Sequence, residues 1–186
     1  MCKYLYDFKN ARLTEKTPNS QIDQQQLVGS QGGLVSGLGP VIDWDSRDNV
    51  FYPSQGGWYR AWATLYREGL GSDFDFERYN LDLRHYIPLK PGHVLALQGV
   101  VAQTQGQVPF QTEYRFPIGG RFSGAAFAAV GDVVDQWCHL RVEDIKYGAG
   151  AGFRYQLDQK EKVNLRFDLG VSQWGVFPYI NIMEAF

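Results

Sequence analysis

Val163, Leu165, Phe167, Leu169 and Val171 alternate with Asn164, Arg166, Asp168, Gly170 and Ser172. Successive side chains on an extended strand point to opposite sides, so this segment has one apolar and one polar face. The content of the polar face is what constrains the fold. It carries full charges, which a water-soluble sandwich rarely turns toward its core. The same pattern recurs along almost the whole chain, which ends on an aromatic residue, Phe186. Apolar side chains facing hydrocarbon and charges facing a lumen are the arrangement of a transmembrane β-barrel.

The alternation predicts about ten strands in a single domain, residues 1–186. They are Lys3–Leu13, Leu34–Trp44, Trp58–Arg67, Phe74–Ile87, His93–Gln103, Gln111–Ile118, Arg121–Val133, Ile145–Asp158, the segment from Val163, and Val176–Phe186. The seventh is rich in small residues, and its faces are not assigned. Thr14–Gly32 and Val134–Asp144 read as loops. Lys90-Pro91-Gly92 reads as a tight turn, because proline presets φ and glycine tolerates positive φ. Short turns near Asn49, Gly92, Gly120 and Lys160 alternate with more variable loops, the asymmetry of outer-membrane barrels. The expectation is an all-β, antiparallel, up-and-down transmembrane β-barrel, closed because an open edge in lipid leaves backbone groups unpaired.

Composition agrees with that expectation. Aromatic residues make up 15% of the chain and there are 21 glycines, as interfacial girdles and strand bends require. No apolar run approaches the roughly 20 residues of a membrane helix. A formal net charge of -2 gives no reason to expect nucleic acid. Cys2 and Cys138 could pair in an oxidising compartment, although two cysteines argue weakly for it. Met1-Cys2-Lys3 leads directly into a strand-like segment, so the expectation is a mature, truncated or recombinant chain without its signal peptide.

One set of charges falls on the expected lumen face: Arg78, Asp82, Arg84, Glu113, Arg115, Arg154, Asp158, Arg166 and Asp168. The lumen of a small barrel is filled by side chains, so a structural ion network is expected ahead of a polar conduit or binding site. Gly148-Ala149-Gly150-Ala151-Gly152 lies within an alternating strand with no helix after it, and so lacks the context of a dinucleotide site. Its glycines are expected to make room for long arginines or to let the wall bend. His85 and His93 flank one turn while His139 falls in an opposite loop, so no metal site is expected. No G-x-S-x-G or H-E-x-x-H motif occurs, and no enzyme activity or cofactor is expected.

Asp45–Gly57 reads DSRDNVFYPSQGG, followed later by YGAGAGFRYQL, VNLRFDLG and the terminal YINIMEAF. These segments resemble the bacterial surface-antigen family, the barrels of BamA/TamA-like outer-membrane assembly factors. The matching turn residues are Asp45, Arg47, Asp48, Asn49, Pro53 and Gly56, with Gly57 as an extra residue. Arg166 and Asp168 resemble the family's lumen-side Arg-x-Asp. Tyr179 and Phe186 fall in the likeness of its closing strand, whose terminal aromatic belongs to the signal read by the insertion machinery. The likeness covers roughly Gly37 to Phe186. The family's POTRA modules and the (Val/Leu)-Arg-Gly-(Phe/Tyr) lumen loop are not found in these residues.

The resemblance implies a non-enzymatic barrel of the bacterial outer membrane. It implies a residual role in membrane protein insertion, anchoring or a narrow pore. The implied partners are outer-membrane lipid, the insertion machinery during biogenesis, and client barrel strands at the seam between first and last strands. Pro178 either weakens that seam, having no ladder donor, or merely begins the strand. The alternatives are an outer-membrane barrel enzyme of protease or lipase type, a small passive channel, and a soluble β-domain of lipocalin-like type.

Overall fold

The alternating segments form ten antiparallel strands in a computed structural model, which describes residues 2–11, 32–102, 108–132, 145–158, 160 and 162–182. The strands are β1 (Cys2–Ala11), β2 (Gly33–Asp45), β3 (Gly56–Tyr66), β4 (Phe76–Lys90), β5 (His93–Ala102), β6 (Phe110–Gly119), β7 (Phe122–Gly131), β8 (Lys146–Asp158), β9 (Val163–Ser172) and β10 (Gly175–Ile182). They lie in one sheet in sequence order, an up-and-down meander with β1 and β10 at its two ends. The expected loop Thr14–Gly32 except Gly32, and Val134–Asp144, with Cys138, His139 and Phe186, lie outside the described residues.

Turn chemistry explains where strands stop. Gly92 (φ 77) and Gly120 (φ 59) take the left-handed conformation that the β4–β5 and β6–β7 turns need. Ladder irregularities fall just before three short turns, between Pro88 and Lys90, Pro117 and Gly119, and Gln156 and Asp158. Two begin at prolines, which cannot donate to a ladder. Pairing resumes beyond the first at Lys90↔His93, so β4 outruns the expected end at Ile87.

The chain divides into two compact units, Met1–Ile42 with Trp62–Tyr79, and Asp43–Ala61 with Asn80–Phe186. In the first, β1 pairs with β2 from Cys2↔Ile42 to Ala11↔Gly33. Tyr66 is buried there and stacks on Phe76 with ring centroids 4.1 Å apart. Gly37 is required at its position, since a Cβ would stand 2.6 Å from the Tyr66 ring.

The second unit inverts the usual order of burial. On β9, Asn164, Arg166 and Asp168 are buried, while Phe167, Leu169 and Val171 are 42%, 52% and 51% exposed. On β8, Arg154 is buried between exposed Phe153 and half-buried Tyr155. On β6, Glu113 and Arg115 are buried, while Thr112, Tyr114 and Phe116 are half-buried. The small residues Ala96, Ala125 and Gly152 stand directly across from Glu113, Arg115 and Asp168. They give the long ionic side chains their volume. β7 turns Phe127 to this same face, over Gly150 of β8.

Candidate functional site: an internal ion chain and the segment latched to it

Five charged side chains from β6, β8 and β9 join into one chain. Arg115 Nε donates to Glu113 Oε1 at 2.6 Å, and Arg154 Nη2 donates to Glu113 Oε2 at 3.0 Å. Arg154 also bonds Asp168, which accepts a further bond from Arg166. Arg115, Arg154 and Glu113 are at most 1% exposed. Arg154 and Arg166 are direct cross-strand partners, a like-charge opposition that would be repulsive alone. Asp168 removes the repulsion by bonding both. Any Cβ at position 152 would collide with this Asp168–Arg154 pair, so Gly152 makes room for arginine, whereas Gly150 makes room for the Phe127 ring.

Asp82 and Arg84 form a second pair on β4, with Arg84 Nη2 donating to Asp82 Oδ2 at 2.7 Å and Gln98 Nε2 to Asp82 Oδ1 at 3.0 Å. Arg78 belongs to the other compact unit. Its guanidinium lies 3.8 Å from the carboxylate of Asp7, which accepts a 2.5 Å bond from Tyr66. Asp158 does not join the buried charges. The β8 irregularity at Gln156 shifts it to an exposed strand end, where its carboxylate accepts the Lys160 N–H at 2.7 Å.

The β2–β3 connection is built by the turn-motif residues. Arg47 makes a two-bond pair with Asp45, Nε to Oδ1 at 2.9 Å and Nη2 to Oδ2 at 2.6 Å. Asp48 Oδ1 accepts the Ser54 N–H at 2.8 Å and the Gln55 N–H at 3.2 Å, and its other oxygen accepts the Ser54 hydroxyl. Asn49 Oδ1 accepts the N–H groups of Phe51 and Tyr52, both at 2.8 Å. Gly56 (φ 88) has no room for a Cβ against the Ser46 carbonyl. The Asp48 carboxyl is pushed up by burial, but the Ser54 and Gln55 bonds and nearby Lys162 outweigh this and hold it below the usual carboxylate range.

This connection is latched to the buried face at two points. Arg115 Nη1 donates to the Pro53 carbonyl at 3.1 Å, and its guanidinium lies over the rings of Tyr52 (5.2 Å) and Tyr86 (5.7 Å). Pro53 is fully buried. The Trp58 ring lies between two guanidiniums, Arg47 at 5.4 Å and Arg84 at 4.4 Å, and its Nε1–H donates to Asp43 at 2.7 Å. Beneath the segment sits the small apolar cluster Tyr86, Val94 and Ala96. The motif and the charges thus meet at Arg115. Comparison of the sequence with family models and with curated proteins finds no match.

Beside Arg166 and Asp168 opens a cleft of about 420 Å³ between β6–β7 and β9–β10, lined also by Gln111, Tyr179 and Asn181. Tyr179 is a register partner of Asp168 and is exposed. Among the described residues, no group of His, Cys, Asp and Glu is disposed to hold a metal ion. Tyr52, Trp58 and Tyr86 are contributors that charge patterning alone passes over. Tyr86 shares the parity of Asp82 and Arg84, a signal that could have found it. Tyr52 lies in a turn and carries no periodic signal.

Proposed function

We propose that this chain is a bacterial outer-membrane β-barrel whose apolar face meets lipid and whose buried charges fill its lumen. In this reading the sheet closes by pairing β1 with β10. The carrying observation is the inversion on β9, with Arg166 and Asp168 buried and Phe167, Leu169 and Val171 exposed. A soluble protein seldom exposes such a continuous apolar surface, and it would gain more from burying it than from burying ion pairs.

Two aromatic bands support the reading. Near the short turns, Tyr59 contacts His85, His93 contacts Tyr114, and Phe122 lies between Phe153 and Tyr155, all on the apolar face. Near the opposite end of the strands lie exposed Phe110, Tyr147 and Trp174. Along β8, Tyr155 and Tyr147 are separated by about 27 Å of strand at ~3.4 Å per residue. A tilted strand of that length suits an apolar band ~25 Å tall.

The role we assign is non-enzymatic: a barrel related to the BamA/TamA-like assembly factors, serving membrane protein insertion or anchoring. The ion chain and the latched β2–β3 segment leave at most a narrow conduit. The test is to refold the chain from urea into lipid vesicles and to follow electrophoretic mobility with and without boiling, together with bilayer conductance. A compact, heat-modifiable species with little conductance is expected. A monomer that stays soluble without detergent or lipid would contradict the reading.

A further inference from the structure

We propose that the short-turn rim of the second compact unit binds the phosphodiester headgroups of anionic phospholipids. This rests on the membrane reading above and adds a lipid partner at a defined end of the strands. Lys90 ends β4, Arg121 lies in the β6–β7 turn and Lys160 in the β8–β9 turn, and all three are exposed. Antiparallel pairing brings these three turns to one end.

Five other arginines of the unit are paired with acids: Arg47 with Asp45, Arg84 with Asp82, Arg115 and Arg154 with Glu113, and Arg166 with Asp168. Among the described residues, Lys90, Arg121 and Lys160 form no ion pair. Of the nearby acids, Asp45 is paired with Arg47, and Asp48 and Asp158, which accept N–H groups and keep their charge, are outnumbered by Lys90, Arg121, Lys160 and Lys162.

Position relative to the aromatics selects the ligand. His93, Tyr114 and Phe116 follow Lys90 on the apolar face, and Phe122, Phe153 and Tyr155 adjoin Arg121 and Lys160. Tyrosine rings seat at headgroup level in a bilayer. A lysine or arginine one turn outside them extends its stem along the interface and its charge into the phosphate layer. At the other end of these strands, the described charges are Asp132 and Lys146, which sum to zero.

The test compares insertion of the full chain into phosphatidylcholine vesicles with insertion into vesicles also containing phosphatidylglycerol. It reads the lipid concentration at half-maximal insertion from tryptophan fluorescence. Each cation near an anionic surface contributes about five-fold in binding, so the wild-type chain should need at least ~10-fold less of the anionic vesicles. The triple variant K90Q/R121Q/K160Q should lose that gain and still insert into phosphatidylcholine like the wild type. Inorganic phosphate at matched ionic strength should leave the gain in place. Equal insertion of both proteins into both vesicles overturns the headgroup site and leaves the membrane reading standing. Loss of the gain to phosphate assigns the cations to a free anion and overturns it as well. A variant impaired equally in both vesicles ascribes the effect to folding, which also overturns it. Failure of the wild-type chain to insert into either overturns the membrane reading itself.

Discussion

At the scale of residues, the decisive groups are those that leave a buried charge stranded when replaced. Asp168 bonds both Arg154 and Arg166, so Asp168→Leu leaves two directly opposed buried arginines without the carboxylate they share. Removing one partner of a buried pair costs about 3–5 kcal/mol. Tyr155 of β8 lies on the opposite face, and Tyr155→Phe should shift stability by less than about 0.5 kcal/mol. Urea titration of the lipid-folded protein measures both, and equal losses would refute the assignment of faces. Asp48 makes a pH prediction. Its folded pKa is lowered, so its contribution is present above the unfolded value of about 3.9. It is lost as pH falls through the lower folded value. The β2–β3 segment should loosen only in acid, seen as a change in Trp58 fluorescence near Arg47 and Arg84. Asp48→Asn should flatten that acid transition.

At the scale of elements, the strands were legible because alternation is a direct image of the pleat. β9 is the clearest case: every second residue from Val163 to Val171 lies on the apolar side, and the three polar residues between Val163 and Leu169 are buried. β7 was opaque because alanine and glycine give neither face a distinct polarity. Its orientation emerges only from packing, through the Phe127 ring over Gly150. Strand ends were missed where a proline interrupts the ladder without ending it, as at Pro88. The turn motif was legible as a turn, since Asp, Asn and Gly supply its bonds and its positive φ. Its attachment to Arg115 was not, because a contact between a turn carbonyl and a distant strand leaves no local pattern. Leu169, exposed on β9 between the two aromatic bands, carries the prediction for this scale. Leu169→Arg should cost about 2–4 kcal/mol in a bilayer near its midplane. A negligible change in a folding titration in vesicles would count against a lipid-facing β9.

For the whole molecule, the proposal is that lipid covers the exposed apolar face of the sheet and that the buried charged face lines a closed barrel. β6, β8 and β9 place their polar or small residues on one side and their larger apolar or aromatic residues on the other, while β4 and β7 also turn Tyr86 and Phe127 to the buried side. The most direct measurement is a nitroxide scan of β9. Single cysteines would be placed from position 163 to 172, in a background with Cys2 and Cys138 replaced by serine, and the protein folded into lipid vesicles. Collision with lipid-soluble oxygen should peak at 165, 167, 169 and 171 and fall at the positions between them. A polar paramagnetic reagent should reach none of those four. High access of the polar reagent at 165–171, or oxygen access without a period of two, would contradict the account.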